Sequence, residues 1–311
     1  MTNKTITEIG PDESPVPLTL AHRAEVERDL LRHPPAISEH TFTNLYAWGQ
    51  TRKIFCGRIE GSLVFLVPAG DDRFVLLGPP LGDTPLETVF SRLAGRLIGA
   101  IRVPAMVGMD RLGLEVIPDP NNSDYLYKSS DLAELAGRKF AKKRNQVKKA
   151  LAAATIEYHS LTYKDGDECI SMLDRWCRLK GCRHDPGLCG EYQAIVRSLA
   201  LFDGKKLFGG ALYNGGEMIA FAIGEQLNRE TAVCHFEKAM PLPGGAGQVI
   251  NQMFAKNELL GHFALVNREQ DLGIEGLRQA KRSYHPVAMV MKYRIGRTVT
   301  STIKAEACPE P

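Results

Sequence analysis

The chain has 311 residues, of which 44% are hydrophobic and 24% are charged, and its formal net charge is +3. This length allows two domains of ordinary size, and the composition is that of a globular protein. The net charge is too small to indicate nucleic-acid binding over the whole surface, so any anion site must be local. The sequence shows no secretory signal and no apolar run near the ~20 residues that cross a bilayer, which predicts a cytoplasmic protein without a transmembrane segment.

The first half of the chain has the pattern of one α/β unit. Residues 1–17 are polar and contain prolines, which predicts a disordered N-terminal segment. Amphipathic periodicity predicts the helices, and short apolar runs between Gly and Asp turns predict an antiparallel meander. The predicted elements are a helix over 18–32, strands at 53–57, 62–67 and 73–77, a helix over 85–98, and strands near 102–107 and 125–127. We therefore predict an N-terminal domain over residues 18–130.

A second unit of the same kind is predicted from residue 131 onward. Its predicted helices cover 131–153, 165–180, 191–202 and 247–260, and its predicted strands cover 155–158, 206–213, 217–226, 232–238, 263–266 and 288–293. We predict a C-terminal domain over 131–295 that carries the functional site. Residues 296–311 have no periodicity and are predicted to form a tail.

A strongly basic segment lies within the first predicted helix of the second unit. Phe140, Val147 and Leu151 recur at helical spacing and are predicted to form its buried face. Arg144 falls between them, so its guanidinium is predicted to point toward the interior or a cleft edge, where it can bind a carboxylate, phosphate or carbonyl. The lysines suit a solvated helix face equally well. The candidate anion-binding residues of this segment are Lys142, Lys143, Arg144 and Asn145.

Two carboxylates occur inside apolar strands. Strict alternation over 233–237 predicts that His235 and Glu237 share one face and that Cys234 lies on the other. Glu225 belongs to the preceding apolar run. Carboxylates among apolar neighbours tend to have raised pKa values, which suits a general base, although pairing with a lysine or arginine across the sheet explains them equally well. Glu237 and Glu225 are therefore candidate catalytic bases.

The segment 267–286, with the sequence N-R-E-Q-D-L-G-I-E-G-L-R-Q-A-K-R-S-Y-H-P, concentrates charge near the C-terminus. A predicted strand at 263–266 precedes it and a predicted helix at 275–282 lies within it, so its polar residues fall at a strand-to-helix junction, where α/β sheets collect ligands. An ordinary helix cap at Asp271 and a salt-bridged surface helix form the alternative interpretation. The candidate site residues here are Asn267, Glu269, Asp271, Arg278, Lys281 and Tyr284.

Three patterns resemble motifs of one protein family. The pattern N-x-E-x-D-L-G-x-E-G-L-R-x-A-K-x-S-Y-x-P in 267–286 resembles the C-terminal signature of a bacterial family of unknown function. That family is related to the catalytic C-terminal domain of phosphatidylglycerol lysyltransferases and, more distantly, to the peptidoglycan aminoacyltransferases. The segments G-x-K-x-x-K-K-R-N-x-x-K in 137–148 and S-E-x-T-F-x-N-L-Y-x-W in 38–48 are similar to two further family elements. By itself, the latter segment predicts a core helix that packs Phe42, Leu45 and Trp48.

This resemblance implies an α/β (α+β) fold of two tandem GNAT-like (acyl-CoA N-acyltransferase-like) domains, each with a mixed, mostly antiparallel sheet flanked by helices. It also implies transfer of an acyl or aminoacyl group from acyl-CoA or aminoacyl-tRNA to an amine or hydroxyl of a lipid or small molecule. Arg144 and the nearby lysines would then bind donor phosphates, and Glu237 or Glu225 would accept the proton. The signature residues would orient the acceptor, with Asp271 among the catalytic candidates and Tyr284 as acid for the leaving group.

The alternative function is a non-catalytic GNAT-like module that binds tRNA, a lipid headgroup or a protein partner through the basic helix. The turn over 241–247 bears on this choice. Acetyltransferase-like proteins hold the coenzyme A pyrophosphate there with [Q/R]-x-x-G-x-[G/A], whereas this chain lacks the opening Gln or Arg. Backbone N–H groups at a helix start can still bind an anion, although the turn can equally be a linker. Gly244, Gly245 and Gly247 are the candidate residues.

Other classes of site have little support in the sequence. No Ser–His–Asp arrangement, Walker loop or dinucleotide fingerprint is present. Cys169, Cys177, Cys182, His184 and Cys189 cluster, but their spacing lacks a C-x-x-C pair, so they are interpreted as small apolar residues and no metal site is predicted.

Overall fold

The structure, a computed structural model, describes residues 5–70, 72–104, 113–241 and 244–296. These residues form two compact units. The first comprises residues up to Asp124 together with those from Val290 onward, and the second comprises Tyr125–Met289. The first unit is discontinuous in sequence because its last strand follows the whole second unit. The predicted domains, 18–130 and 131–295, are each continuous in sequence, whereas the first unit also contains the chain from Val290 onward.

The first unit is built on a seven-stranded sheet with the strand order β1-β2-β3-β4-β5-β14-β6. Strands β4 and β5 are parallel, and the other neighbours are antiparallel. The strands are β1 (Val16–Pro17), β2 (Phe55–Ile59), β3 (Ser62–Pro68), β4 (Phe74–Leu77), β5 (Leu97–Val103), β6 (Glu115–Pro118) and β14 (Tyr293–Gly296), and the helices are α1 (Arg23–Arg32), α2 (Phe42–Ala47), α3 (Gly49–Arg52) and α4 (Leu86–Arg92).

The N-terminal segment differs from its prediction. Ile6 and Ile9 are buried, with exposed fractions of 2% and 5%, and Val16–Pro17 pairs with β2. The prediction of disorder is therefore wrong for residues 5–17, because two apolar side chains hold the segment against the sheet. Residues 1–4, and residues 297–311 of the predicted tail, lie outside the described part of the chain.

A fully buried ion-pair network lies in the first unit. Lys292 Nζ lies 2.5 Å from Glu39 Oε2 and 2.6 Å from Asp124 Oδ1, and all three residues are buried. Arg102 pairs with the other oxygen of Glu39 at 3.0 Å and with Asp119 at 3.1 Å. Burial alone would raise the pKa of Glu39, but the charges of Lys292 and Arg102 lower it. The network joins the segment before α2 to β5 and to the residue that precedes β14.

The second unit contains a seven-stranded sheet with the order β13-β7-β12-β11-β10-β9-β8. Its single parallel pair among the described pairings is β11 with β12. The strands are β7 (Asp124–Lys128), β8 (Ile156–Ser160), β9 (Leu207–Asn214), β10 (Glu217–Gln226), β11 (Thr231–Ala239), β12 (Leu265–Asn267) and β13 (Ala288–Val290), and the helices are α5 (Ser129–Glu134), α6 (Ala141–Ala153), α7 (Gly166–Lys180), α8 (Pro186–Ala200), α9 (Ala246–Phe254) and α10 (Glu275–Arg282). The predicted mixed, mostly antiparallel sheets flanked by helices are confirmed.

The predicted helix over 131–153 is interrupted. Leu135 ends α5 in the left-handed region with φ 49°, Gly137 has φ 80°, and a short 3₁₀ turn over Arg138–Phe140 leads into α6. A left-handed residue cannot continue an α-helix, so the segment forms two separate helices. Helices α6 and α9 pack against the sheet, because apolar residues of both helices and of the strands form one buried cluster.

Within the described ranges, no helix combines the length and the hydrophobicity needed to span a membrane. In the same ranges, no group of three or more His, Cys, Asp or Glu side chains is arranged to hold a metal ion.

Candidate functional site

The parallel pair of β11 and β12 positions the polar residues of the second unit. The pairing covers three residues on each strand and ends at Val233 and Asn267, while β11 continues to Ala239. The chain after β12 supplies Arg268 and Glu269 at this point. The carboxyl ends of parallel strands are where α/β sheets place ligand-binding side chains.

A bulge in β11 changes which side chains share a face. Ile223 pairs with Phe236 and Gly224 pairs with Cys234, so His235 is an extra residue in the ladder. Cys234 packs in the core with α9, and Glu237 also meets α9 through Asn251. The predicted strict alternation, with His235 and Glu237 on one face, is therefore wrong.

On the α9 side of the sheet, Glu237 is held by two donors. Arg268 Nη2 and Asn251 Nδ2 each donate to Glu237 Oε2 at 3.0 Å. The Arg268 guanidinium lies 5.2 Å from the ring of Tyr284 and 5.7 Å from the ring of Tyr127. Its Nη1 is buried and has no hydrogen-bond partner among the residues that the structure describes. One strong donor is therefore left facing this site.

Two lysines complete a cationic cluster, which we define as Lys143, Arg268 and Lys281 around Glu237. Lys143 and Lys281 are each only 9% exposed. Lys143 Nζ lies 4.1 Å from the Tyr284 ring, and Lys281 Nζ donates to the Arg268 carbonyl. Burial, followed by the charge of Arg268, lowers the pKa of Lys281 to about 8 and also lowers the pKa of Lys143.

The charges of the cationic cluster do not balance. Within the described residues, the ion pair of Arg268 with Glu237 is the only carboxylate contact made by the three cations. A buried cation without a carboxylate partner favours a bound anion, because burial removes the water that would otherwise solvate it. The arrangement is therefore suited to a phosphate or to a developing oxyanion.

On the opposite side of the sheet, His235 lies between two carboxylates. Its Nε2 is 2.8 Å from Glu225 Oε1 and its Nδ1 is 2.8 Å from Glu269 Oε1. Burial alone would lower the pKa of His235, but the hydrogen bonds and charges of the two glutamates raise it to about 9. The imidazole is therefore protonated at neutral pH. Glu225 and Glu237, proposed as alternative bases, lie in separate clusters.

The loop between β12 and α10, residues 268–274, which we call the signature loop, is anchored through Asp271. Burial alone would raise the pKa of Asp271, but hydrogen bonds from Arg278, Tyr125 and the Gly273 amide lower it to about 2. Ile274, not Asp271, occupies the N-cap position of α10, so the predicted cap is wrong. Asp271 and Arg278 therefore hold the loop in place.

The remaining signature residues line the end of β12. Asn267 is fully buried, and its Oδ1 accepts a hydrogen bond of 2.8 Å from the Glu269 amide. Glu269 has a positive φ of 56°, which this contact stabilises. Tyr284 is 6% exposed, and burial raises its pKa, so its hydroxyl keeps its proton. The structure thus brings Tyr284 and Lys281 to the cationic cluster and Glu269 to His235.

The basic helix differs from its prediction at Arg144. Arg144 Nη1 donates to the carbonyls of Leu135 and Gly137, and the residue is exposed. It therefore closes the end of α5 and binds carbonyls, one of the predicted types of partner, but its side chain lies at the surface and not in the interior. Its neighbour Lys143 is the buried cation, because α6 begins only at Ala141 and its register differs from that of one long helix.

Other residues of α6 are also displaced from their predicted faces. Phe140 and Val147 are buried as predicted, whereas Leu151 is 39% exposed and Ala150 occupies the buried face instead. Lys142 and Asn145 lie on the exposed surface of α6.

In the turn over 241–247, glycine is required for steric reasons at one position. Gly245 has φ 94° and precedes the first residue of α9, and a Cβ there would lie 2.9 Å from the Ala150 side chain. Gly244 and Gly247 have no such restriction, since a Cβ at Gly244 would meet nothing within 4 Å and one at Gly247 would make an ordinary contact. Residues 242–243 of this turn lie outside the described part of the chain.

Sequence patterns alone missed Arg268, Asn251 and the role of His235. Arg268 lies between Asn267 and Glu269 in the signature, directly after a buried strand, which is the signal that marks it. The pairing of His235 had no local signal, because its two partners are 10 and 34 residues away.

Comparisons with known proteins identify the family and the fold of the chain. A family model described as "Phosphatidylglycerol lysyltransferase, C-terminal" matches residues 32–296. No curated protein matches the sequence at a significant level.

Three solved structures share the fold. A conserved protein of unknown function from Bacteroides thetaiotaomicron is 30% identical, with 93% of this chain and 100% of that chain covered and a TM-score of 0.83. The C-terminal domain of a putative lysylphosphatidylglycerol synthetase from Agrobacterium fabrum is 13% identical, with 89% and 93% covered and a TM-score of 0.63. L-PGS from Bacillus licheniformis is 15% identical, with 96% of each chain covered and a TM-score of 0.61.

Proposed function

Because the chain belongs to the phosphatidylglycerol lysyltransferase C-terminal family, we propose that it is an acyl- or aminoacyltransferase that acts at the cationic cluster. The family relation supports transferase chemistry in general. The donor class, the acceptor and the roles of individual residues are part of the proposal.

One observation carries the proposal. The cationic cluster buries three positive side chains against one carboxylate contact, and Arg268 Nη1 has no partner there among the described residues. In aminoacyl-tRNA a backbone phosphate lies close to the reactive ester, whereas in acyl-CoA the pantetheine arm separates the phosphates from the thioester. A phosphate of such a donor would satisfy Arg268 and Lys143.

The proposed reaction needs no covalent enzyme intermediate. The acceptor amine or hydroxyl attacks the donor carbonyl carbon, a C–N or C–O bond forms, and the donor C–O or C–S bond breaks. Glu237 accepts the proton of the nucleophile, and Tyr284 donates its hydroxyl proton to the leaving oxygen or sulfur. The proton on Glu237 then restores the Tyr284 hydroxyl, so both residues return to their starting states. Lys281 stabilises the negative charge that develops on the carbonyl oxygen. Positioning of donor and acceptor supplies most of the acceleration.

Donor binding is tested by thermal stability with acetyl-CoA, free CoA, charged tRNA and uncharged tRNA at two salt concentrations. A ligand at about a hundred times its Kd stabilises a protein by roughly 2.7 kcal/mol. We expect one donor class to raise Tm and Lys143→Met to weaken its binding about tenfold or more. Lys149→Met is the matched control, because Lys149 is an exposed lysine on the same helix.

Turnover separates the transferase from the non-catalytic module. Glu237→Gln should retain donor binding and lose about 10²- to 10⁴-fold in rate, since it removes the proton acceptor. Binding of tRNA without any turnover in the wild-type protein would assign the alternative function. Equal effects of Lys143→Met and Lys149→Met on donor binding would refute the placement of the donor at the cationic cluster.

A further inference from the structure

Three large apolar side chains are exposed in a stretch of six residues that runs from the signature loop into the first turn of α10. Leu272, Ile274 and Leu277 are 54%, 56% and 36% exposed, and we call them the apolar lip. Apolar residues scattered singly over a surface are ordinary, whereas a contiguous exposed group marks an interaction site. The other exposed leucines of the second unit, at positions 151, 179 and 260, are far apart in sequence and belong to different elements.

The apolar lip leads to the cationic cluster along one face of α10. Ile274, Leu277 and Lys281 are separated by three and four residues, a spacing that places them on the same side of a helix. Exposure falls along this line from Ile274 to Lys281, which is 9% exposed. A ligand lying along this face would meet apolar side chains first and the buried cations about 10 Å further along the helix.

Exposed cations flank the end of this face. His285, just after α10, donates a 3.1 Å hydrogen bond from Nε2 to the Lys139 carbonyl, and its ring lies 5.4 Å from that of Phe140. Arg138, Lys139 and Lys142 are all exposed in this neighbouring segment. Lys139 also pairs with Asp131 at 2.9 Å. Glu275 is the exposed acid on α10, where it lies 3.9 Å from Arg278.

We propose that the apolar lip and the basic residues Arg138, Lys139 and Lys142 dock the protein on the surface of an anionic lipid bilayer. Interfacial helices combine a short apolar face with flanking Lys and Arg, because the apolar side chains enter the acyl boundary while the cations meet anionic headgroups. Nucleic acid would explain the cations alone, and an apolar protein groove would explain the lip alone. An anionic bilayer is complementary to both.

Vesicle flotation tests this proposal. Vesicles of phosphatidylcholine alone are compared with vesicles that contain equal parts of phosphatidylcholine and phosphatidylglycerol. We expect the full-length protein to float with the mixed vesicles, more strongly at low salt. The variant Leu272→Ser/Ile274→Ser/Leu277→Ser should lose about tenfold or more in partition, because three side chains lose their apolar contact. The matched control is Leu151→Ser/Leu179→Ser/Leu260→Ser, which removes three exposed leucines outside the lip and should retain flotation.

Two further measurements keep the proposal testable if the lip variant folds poorly. Ile274→Trp should be quenched by brominated lipids in mixed vesicles, and Arg138→Gln/Lys139→Gln/Lys142→Gln should reduce the salt dependence of flotation. Flotation of the lip variant equal to wild type, equal loss in the control triple, or equal binding to neutral vesicles would each overturn the proposal. The vesicle assay contains no donor and the donor assay contains no vesicles, so failure of docking is distinguishable from failure of the proposed transferase.

Discussion

At the residue scale, His235 is held as a cation by two carboxylates. Burial alone would lower its pKa, but Glu225 and Glu269 raise the pKa to about 9. The unfolded chain has a histidine pKa of about 6.5. A folded-state pKa above the unfolded one contributes stability that is fully present below about pH 6.5 and is lost as the pH rises through about 9.

Replacement of one carboxylate should move this pH window. In Glu225→Gln the pKa of His235 falls toward its ordinary value, so the loss of stability still begins at about pH 6.5 but is smaller and is complete at a lower pH. We expect the contribution of His235 to the free energy of unfolding to decrease by about 1–3 kcal/mol between about pH 6 and pH 10 in the wild type, and by less in the variant. Lys281, whose lowered pKa acts in the opposite direction above about pH 8, is present in both proteins and cancels in the difference between them. Chemical denaturation across this range, with the His235 imidazole followed by NMR, measures both quantities.

Glu230→Gln is the control for this titration. Glu230 is exposed in the same unit, just before β11, and does not contact His235. Its replacement by Gln removes the same charge as Glu225→Gln. An unchanged His235 pKa in Glu225→Gln would show that the two carboxylates do not hold its proton.

At the scale of elements, the contact between α6 and the start of α9 depends on one glycine. Gly245 has φ 94°, and a Cβ there would lie 2.9 Å from the Ala150 side chain. Gly245→Ala should therefore lower the free energy of unfolding by roughly 1–3 kcal/mol, since it adds both backbone strain and a steric overlap. Urea denaturation measures the difference.

Gly244→Ala is the matched control, one residue earlier in the same turn. A Cβ there meets nothing within 4 Å, and the expected change is within about 0.5 kcal/mol. If the two variants were equally stable, α6 and α9 would not approach as closely as the structure shows.

At the scale of the whole molecule, the C-terminal part of the chain returns to the first unit. Strand β14 lies between β5 and β6, and Lys292 just before it is fully buried with Glu39 and Asp124. The lysine and Glu39 are 253 residues apart in sequence. Closure of the first unit therefore requires the chain on both sides of the second unit.

Removal of the buried lysine should destabilise the protein strongly. Lys292→Met leaves two buried carboxylates without their shared cation, and we expect a loss of about 3–5 kcal/mol in the free energy of unfolding. Arg92→Met is the control in the same unit, because its pair with Glu60 is 57% and 46% exposed and is worth at most about 1 kcal/mol. A small effect of Lys292→Met would mean that the network does not hold β14 in the sheet.

Local motifs in the sequence indicated the family and the fold class, and both predictions are confirmed. The helix predicted at 275–282 agrees with α10, because the apolar strand before it and the glycines around it are local features. The segment 38–48 packs Phe42 and Leu45 as predicted for a core helix. The predicted site residues and domain boundaries stay predictions, as do the donor and the acceptor.

The sequence by itself indicated most of the helices and strands and the motif that the chain carries, because periodicity, turn residues and charge act over a few neighbours. Only the tertiary structure decided that Lys143 and not Arg144 is buried, since a break at Leu135 resets the helix register. It also decided that Glu237 pairs with Arg268 and that Lys292 pairs with Glu39. Such pairs form across distant parts of the chain, where burial strengthens a charge interaction that no local pattern encodes.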